Sequence, residues 1–150
     1  MTRYRQPAEL TGVDLSANAV DFCRSLYHLQ GLQFRQGDAE NLPVASGSLD
    51  AVINVESSHC YPDFARFVQE VFRVLKPGGH FLYADLHESA GKPQWMTTMK
   101  ECGFDIVRSM DITANVLTAL DKDSDRKLGL IHSLVPSSLR KSFQNFAGIR

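Results

Sequence analysis

The chain has 150 residues, 43% of them hydrophobic and 22% charged, the balance of one folded domain rather than a disordered segment or a multidomain assembly. Lys and Arg number 16 against 17 Asp and Glu, and the resulting net charge of -1 argues against a general nucleic-acid binder, which would carry a basic field. No apolar run approaches the roughly 20 residues of a membrane helix, and three dispersed cysteines, Cys23, Cys60 and Cys102, offer neither a disulfide framework nor a zinc site.

In chain order, Met1–Gln6 carries basic residues but no apolar stretch follows them, unlike a secretory leader, so the expected setting is cytoplasmic. Leu10-Thr-Gly-Val-Asp14 is a short apolar run closed by an acid, the profile of a buried parallel strand. Ser16 is the expected cap of a helix carrying Ala19, Val20, Cys23, Leu26 and Leu29 at helical spacing, with Gly31 at its end. Leu32–Gln36 reads as a second strand, closed by Gly37-Asp38. A loop through Asn41, Pro43, Ser46 and Gly47 leads to a third strand, Leu49–Asn54.

Pro62 suits the first turn of the next helix, whose apolar stripe is Phe64, Phe67, Val68, Val71, Val74 and Leu75. Lys76 is placed to complement its C-terminal dipole, and Pro77-Gly78-Gly79 to stop it. His80–Asp85 is expected as a fourth strand, Trp95, Met99 and Cys102 on a helix, and Phe104–Ser109 as a fifth strand. A helix starts over Asn115–Leu120, and Leu139, Phe143 and Phe146 form a short amphipathic stretch after Pro136. Beyond Asp125 the chain has basic residues and no acid, which reads as a solvated face. Strands alternating with helices at these spacings define an α/β fold, doubly wound on a mostly parallel sheet, with residues 1–150 as a single domain.

In open parallel sheets, ligands bind beyond the carboxyl ends of the strands. The polar residues expected there are Asp14, Asp38, Asn54 with Glu56, and Asp85. Asp14 either accepts both hydroxyls of a ribose or, with Ser16, caps the helix. Asp38, before Ala39, either takes an exocyclic amine while a backbone N–H meets a ring nitrogen, or forms an ordinary Asx turn. Between Asn54 and Pro62 the sequence gathers Glu56, His59 and Tyr61 in a strand-to-helix loop, where a general base would serve. A lone loop histidine is more often a plain hydrogen-bonding residue, and Cys60 lacks the partner that marks a nucleophile. His28, His80, His87 and His132 show no metal-ligand spacing. Phe64, Phe67 and Trp95 at helical spacing read as core before they read as the wall of an acceptor cavity.

Four segments, in order and spacing, resemble the class I S-adenosylmethionine-dependent methyltransferases: Thr11-Gly-Val-Asp-Leu-Ser16, Gln36-Gly-Asp-Ala-Glu-Asn-Leu-Pro43, Leu49-Asp-Ala-Val-Ile-Asn54, and Val71–Gly79 with its Arg73-Val-Leu-Lys-Pro-Gly-Gly79. The likeness covers roughly residues 8–90. Asn54–Pro62 and Tyr83-Ala-Asp-Leu86 look like the mycobacterial lipid O-methyltransferases, of the phthiotriol/phenolphthiotriol dimycocerosate and fatty-acid types. Asp111–Asn115 and Leu134–Phe146 extend the likeness. The resemblance implies S-adenosyl-L-methionine as cofactor, with Asp14 and Leu15 at the ribose, Asp38 and Ala39 at the adenine, and Asn54 and Val55 beneath the methionine moiety. It further implies an apolar or lipid acceptor, with His59 orienting or deprotonating its hydroxyl and Glu56 and Tyr61 as second choices. No metal is implied.

One departure matters. None of the ten glycines supplies the family's G-x-G-x-G loop, which lets the backbone approach the methionine end of the cofactor. Met1–Gln6 resembles the tail of the helix that follows that loop. In the family's strand order the first strand is central, between those ending at Asp14 and Asn54, and the final antiparallel strand is expected to be absent as well. The expectation is therefore an incomplete sheet with unpaired strand edges. Such a chain is marginally stable, forms a homodimer, or needs a further segment. Three functions follow: methyl transfer to a lipid hydroxyl, a non-catalytic remnant acting as a binding or pairing module, and, last, a nicotinamide dehydrogenase, which leaves Asp38-Ala39 and Lys76–Gly79 unexplained.

Overall fold

The computed structural model describes residues 7–87 and 92–148. Met1–Gln6, with its likeness to the tail of a helix, lies outside the described residues. The elements are β1 (Leu10–Asp14), α1 (Ala17–Leu26), β2 (Leu32–Gln36), β3 (Leu49–Val55), a 3-10 turn (Ser58–Cys60), α2 (Phe64–Val74), β4 (Leu75–Ala84), α3 (Lys92–Glu101), α4 (Thr113–Lys122), α5 (Ser124–Leu134), a second 3-10 turn (Ser137–Leu139) and α6 (Arg140–Phe146). They form two compact units, one ending at Ile106 and one starting at Val107.

The first unit is α/β, and its strands pair in two parallel couples. β1 runs beside β2 from Leu10 opposite Leu32 to Asp14 opposite Gln36. β3 runs beside β4 from Ala51 opposite His80 to Val55 opposite Ala84. Among the described residues the couples are separate two-stranded sheets. Each couple is closed by one helix, so the carboxyl ends of paired strands lie together.

Local chemistry sets these elements. Ser16 caps α1, its Oγ accepting from Ala19 N at 3.3 Å. The helix then stops at Leu26, not at the expected Gly31, because Tyr27 turns to an extended conformation. Gly31 instead serves the entry to β2: its φ is 77°, and a Cβ there would collide with the Ala8 carbonyl. On the outer side of β2, Arg24 fastens α1 by donating to Phe34 O from Nε at 3.1 Å and Nη2 at 2.7 Å.

Asp63 caps α2 through Arg66 N at 2.9 Å. The buried face of α2 carries Phe67, Val68, Val71 and Val74, with Val68, Val71 and Val74 fully buried. Each such valine contributes about 1.5–3 kcal/mol of apolar burial. Met99 of α3 joins this core, and Phe64, Tyr83, Trp95 and Phe104 pack around it, so the aromatics at helical spacing are core residues.

The strand after α2 departs from expectation. Leu75 already pairs with Leu49, and Lys76–Gly79 fill an irregularity in register before His80 meets Ala51. Gly79 is required by close approach, since a Cβ would sit 2.9 Å from Lys76 O and 3.2 Å from Asp50 O. Lys76 therefore binds Asp50, Nζ to Oδ1 at 2.8 Å, across the couple rather than answering a helix dipole.

The fifth strand expected over Phe104–Ser109 does not form; those residues are irregular. Phe104 is drawn instead into aromatic packing, 5.2 Å from the Phe72 ring and 5.6 Å from Phe81. In the second unit, α5 was not anticipated, because Gly129 and Ser133 weaken its helical pattern. Ile131 on α5 is the unit's buried hydrophobic residue among those described.

Candidate active site

The carboxyl ends of the strands carry two different kinds of site. At the tip of β1, Asp14 is exposed. Its Oδ1 accepts Ser16 N at 2.8 Å, leaving Oδ2 without a partner among the described residues. Beyond β2, Asp38 is also exposed and its Oδ1 accepts Glu40 N at 2.9 Å, an Asx turn. Each acid thus makes its local turn and keeps one oxygen without a partner among the described residues.

The turn after Asp38 is braced from below. Glu40 Oε1 accepts Asp63 N at 2.8 Å, and Arg66 Nε donates to Glu40 O at 3.0 Å. Arg73 pairs with Glu70 at 2.7 Å and reaches Val44 O, Ser46 Oγ and Leu42 O. That guanidinium holds the Glu70 carboxyl below the usual carboxylate range. Ala39 is half-buried against the α2 core, while Leu15 and Val55 are 71% and 61% exposed.

Beyond β3 the groups are enclosed. Asn54 is buried, and its Nδ2 donates to Ser57 Oγ at 2.8 Å and Tyr61 Oη at 3.2 Å. Tyr61 also packs edge-on against Phe67, so it supports the loop. Asn54 Oδ1 is buried with no partner among the described residues. The next residue but one, Glu56, has a left-handed φ of 49°, a strained conformation for a non-glycine. Its N–H donates to Ala84 O at 2.8 Å, and the side chain is exposed.

This reversal brings the 3-10 turn onto the end of β4. Asp85, its side chain fully buried, accepts Ser58 N at 2.7 Å, Ser58 Oγ at 2.6 Å and His59 N at 3.2 Å on Oδ2. On Oδ1 it meets His59 Nδ1 at 2.6 Å and Leu86 N at 2.8 Å. Burial works against the charge, but the donors outweigh it and hold the carboxyl down at about 2. An ionised acceptor requires the hydrogen on His59 Nδ1, so the neutral ring carries its lone pair on Nε2. The His59 side chain is 40% exposed, and Nε2 has no partner among the described residues.

The structure thus joins His59 to Asp85 and leaves Glu56 apart from both. The sequence placed Asp85 at a strand end but not beside His59. Parallel pairing carries that signal: Val55 opposite Ala84 puts residue 85 beside the loop. Ser58, Tyr83 and His87, also part of this cluster, were not singled out. Among the described residues no group of acids, histidines and cysteines is arranged to hold a metal ion.

Parallel strand–helix–strand units with exposed acids at their tips, and an imidazole–carboxylate pair beyond β3 and β4, belong to an α/β domain of the Rossmann-like methyltransferase type. Residues 1–83 match the family described as "Methyltransferase domain", and the chain belongs to that family. S-adenosylmethionine is the cofactor that this membership supports. The chain is 40% identical over its whole length to the phthiotriol/phenolphthiotriol dimycocerosates methyltransferase of Mycobacterium leprae (strain TN), of which it covers 56%. It is 37% identical, again over its whole length, to the fatty-acid O-methyltransferase of Mycolicibacterium smegmatis, covering 55%. The chain therefore spans about half the length of these relatives. A putative sarcosine dimethylglycine methyltransferase from Galdieria sulphuraria matches 93% of the chain and 62% of its own, with a TM-score of 0.77 at 14% identity. The [4+2]-cyclase SpnF matches the same shares with a TM-score of 0.68 at 19% identity. These structures share the fold.

Proposed function

We propose that the chain carries part of an enzyme transferring a methyl group from S-adenosylmethionine to a hydroxyl of a lipid or other apolar acceptor. The observation that carries this reading is the His59–Asp85 pair, whose geometry leaves Nε2 accessible beside the strand ends. Three acceptors without partners among the described residues suit the cofactor: one oxygen each on Asp14 and Asp38, and buried Asn54 Oδ1. Ribose hydroxyls, the adenine amine and the α-amino group are the matching donors. Leu15, Ala39 and Val55 supply apolar surface beside them.

When bound, the cofactor supplies a methyl group on a positively charged sulfur. His59 Nε2 orients the acceptor hydroxyl and takes its proton as the oxygen becomes nucleophilic. Asp85 keeps His59 in the required tautomer and stabilises the imidazolium that forms. Relatives named for fatty-acid and dimycocerosate methylation support an apolar acceptor. The test is transfer of a labelled methyl group to a long-chain hydroxylated lipid, with His59→Gln expected to slow it about a hundredfold or more while S-adenosylhomocysteine still binds.

The separate strand couples favour a second reading, a chain that binds or pairs without catalysis. Calorimetric titration with S-adenosylhomocysteine separates the two. Micromolar binding lost in Asp14→Ala supports the enzyme, whereas no heat from a folded sample supports the pairing module.

A further inference from the structure

Asp85 ends a second hydrogen-bonded chain that the proton transfer above does not use. Ser58 Oγ lies 2.6 Å from Asp85 Oδ2, Tyr83 Oη lies 2.9 Å from Ser58 Oγ, and His87 Nε2 lies 2.7 Å from Tyr83 Oη. Counting hydrogens gives the chain a direction. An ionised carboxylate only accepts, so the one Ser58 hydroxyl hydrogen points at Asp85. Ser58 Oγ then offers Tyr83 only lone pairs, and the one phenolic hydrogen points at Ser58. Tyr83 Oη can in turn only accept from His87, so His87 carries its hydrogen on Nε2.

The parts of this chain are held by packing. Ser58 is buried. The His87 ring is stacked on Trp95 at 5.3 Å and 12° and stands edge-on to Phe64 at 6.3 Å. Tyr83 lies between Phe64, Phe81 and Trp95. None of these rings brings a competing charge to His87.

We propose that Ser58, Tyr83 and His87 are positioning residues for His59. Their one-way chain, His87 to Tyr83 to Ser58 to Asp85, occupies Oδ2, leaves Oδ1 to His59, and sets the two histidines in opposite tautomers. The positioning role rests on His59 being the base, whereas the tautomers do not. Each hydroxyl polarises the next, so a change at the far end reaches the carboxylate.

Nitrogen-15 NMR of the histidine rings tests this on the whole chain. In the unsubstituted protein the neutral rings are expected as His59 Nδ1–H and His87 Nε2–H. In Ser58→Ala, the Tyr83 hydroxyl loses its acceptor and turns to His87, which switches to Nδ1–H. Asp85, poorer by one donor, then holds the His59 imidazolium more firmly, and the His59 titration midpoint moves up. Tyr83→Phe keeps the ring packing and raises that midpoint less. It serves as the readout should Ser58→Ala fail to fold. With an active preparation, Ser58→Ala lowers kcat and leaves the acceptor KM unchanged. His87 found as Nδ1–H in the unsubstituted protein overturns the chain, as does a His59 midpoint that neither substitution moves. Inactivity with both expected tautomers overturns the proposed function and supports the chain.

Discussion

Asp14 and Asp85 are both carboxylates at the tips of parallel strands, yet their surroundings are opposite. Asp14 stands in solvent, with one oxygen on its own turn and the other open. Asp85 is buried, and both its oxygens are taken by donors from the neighbouring loop and its own backbone. The first couple presents carboxylate oxygens without partners among the described residues, whereas Asp85 and His59 of the second already satisfy one another. Binding chemistry tolerates unsatisfied acceptors at the surface, while a proton-transfer pair needs its orientation fixed in advance.

The largest effect is expected from Asp85→Ala, which strands several buried donors at once. Chemical denaturation should show a loss of about 3 kcal/mol or more, and a loss near zero would erase the contrast with Asp14. His59→Gln comes next: turnover should fall about a hundredfold or more, with S-adenosylhomocysteine affinity unchanged. Asp14→Ala reverses that pattern, weakening the same ligand about tenfold or more by calorimetry with little change in melting temperature.

A smaller effect appears on titration. Asp85 is held at about 2 against an ordinary 3.8, so its stabilisation is complete above the ordinary value and lost as pH falls through about 2. Tyr83 behaves in the opposite sense. Burial raises its phenol from 10.0 to about 12 against the Ser58 hydrogen bond, and the Asp85 charge adds to the rise. Its contribution is complete below 10.0 and lost as pH rises through about 12. Melting curves across both limits should show these two losses, with the acid loss blunted in Asp85→Asn. Lys76→Ala, at an exposed pair, should leave the melt unchanged.

Short-range signals were legible in the sequence. Ser16 announced a cap, the Phe64–Val74 stripe announced a buried helix face, and alternating strands and helices announced parallel couples. Signals that depend on a partner were not. The fifth strand over Phe104–Ser109 has the right residues, but Phe104 finds aromatic neighbours instead of a ladder. Lys76 looked like a helix-terminal cation because the early end of α2 at Val74 was invisible locally. For the site, His59 stood out by residue type and loop position. Its bond to Asp85 depends on register between strands separated by a whole helix, and Tyr83 and Ser58 look like ordinary strand and loop residues until that register is known.

The strand couples also bear on the order in which this chain folds. β1 reaches β2 across α1 alone, and β3 reaches β4 across α2 alone. No strand pairing among the described residues spans more than one strand–helix–strand unit, so closing one couple does not wait on closing the other. The pairing thus imposes no order on the two couples. During synthesis β1, α1 and β2 can zip together before α2 has been made, and the His59–Asp85 pair appears only when β4 arrives.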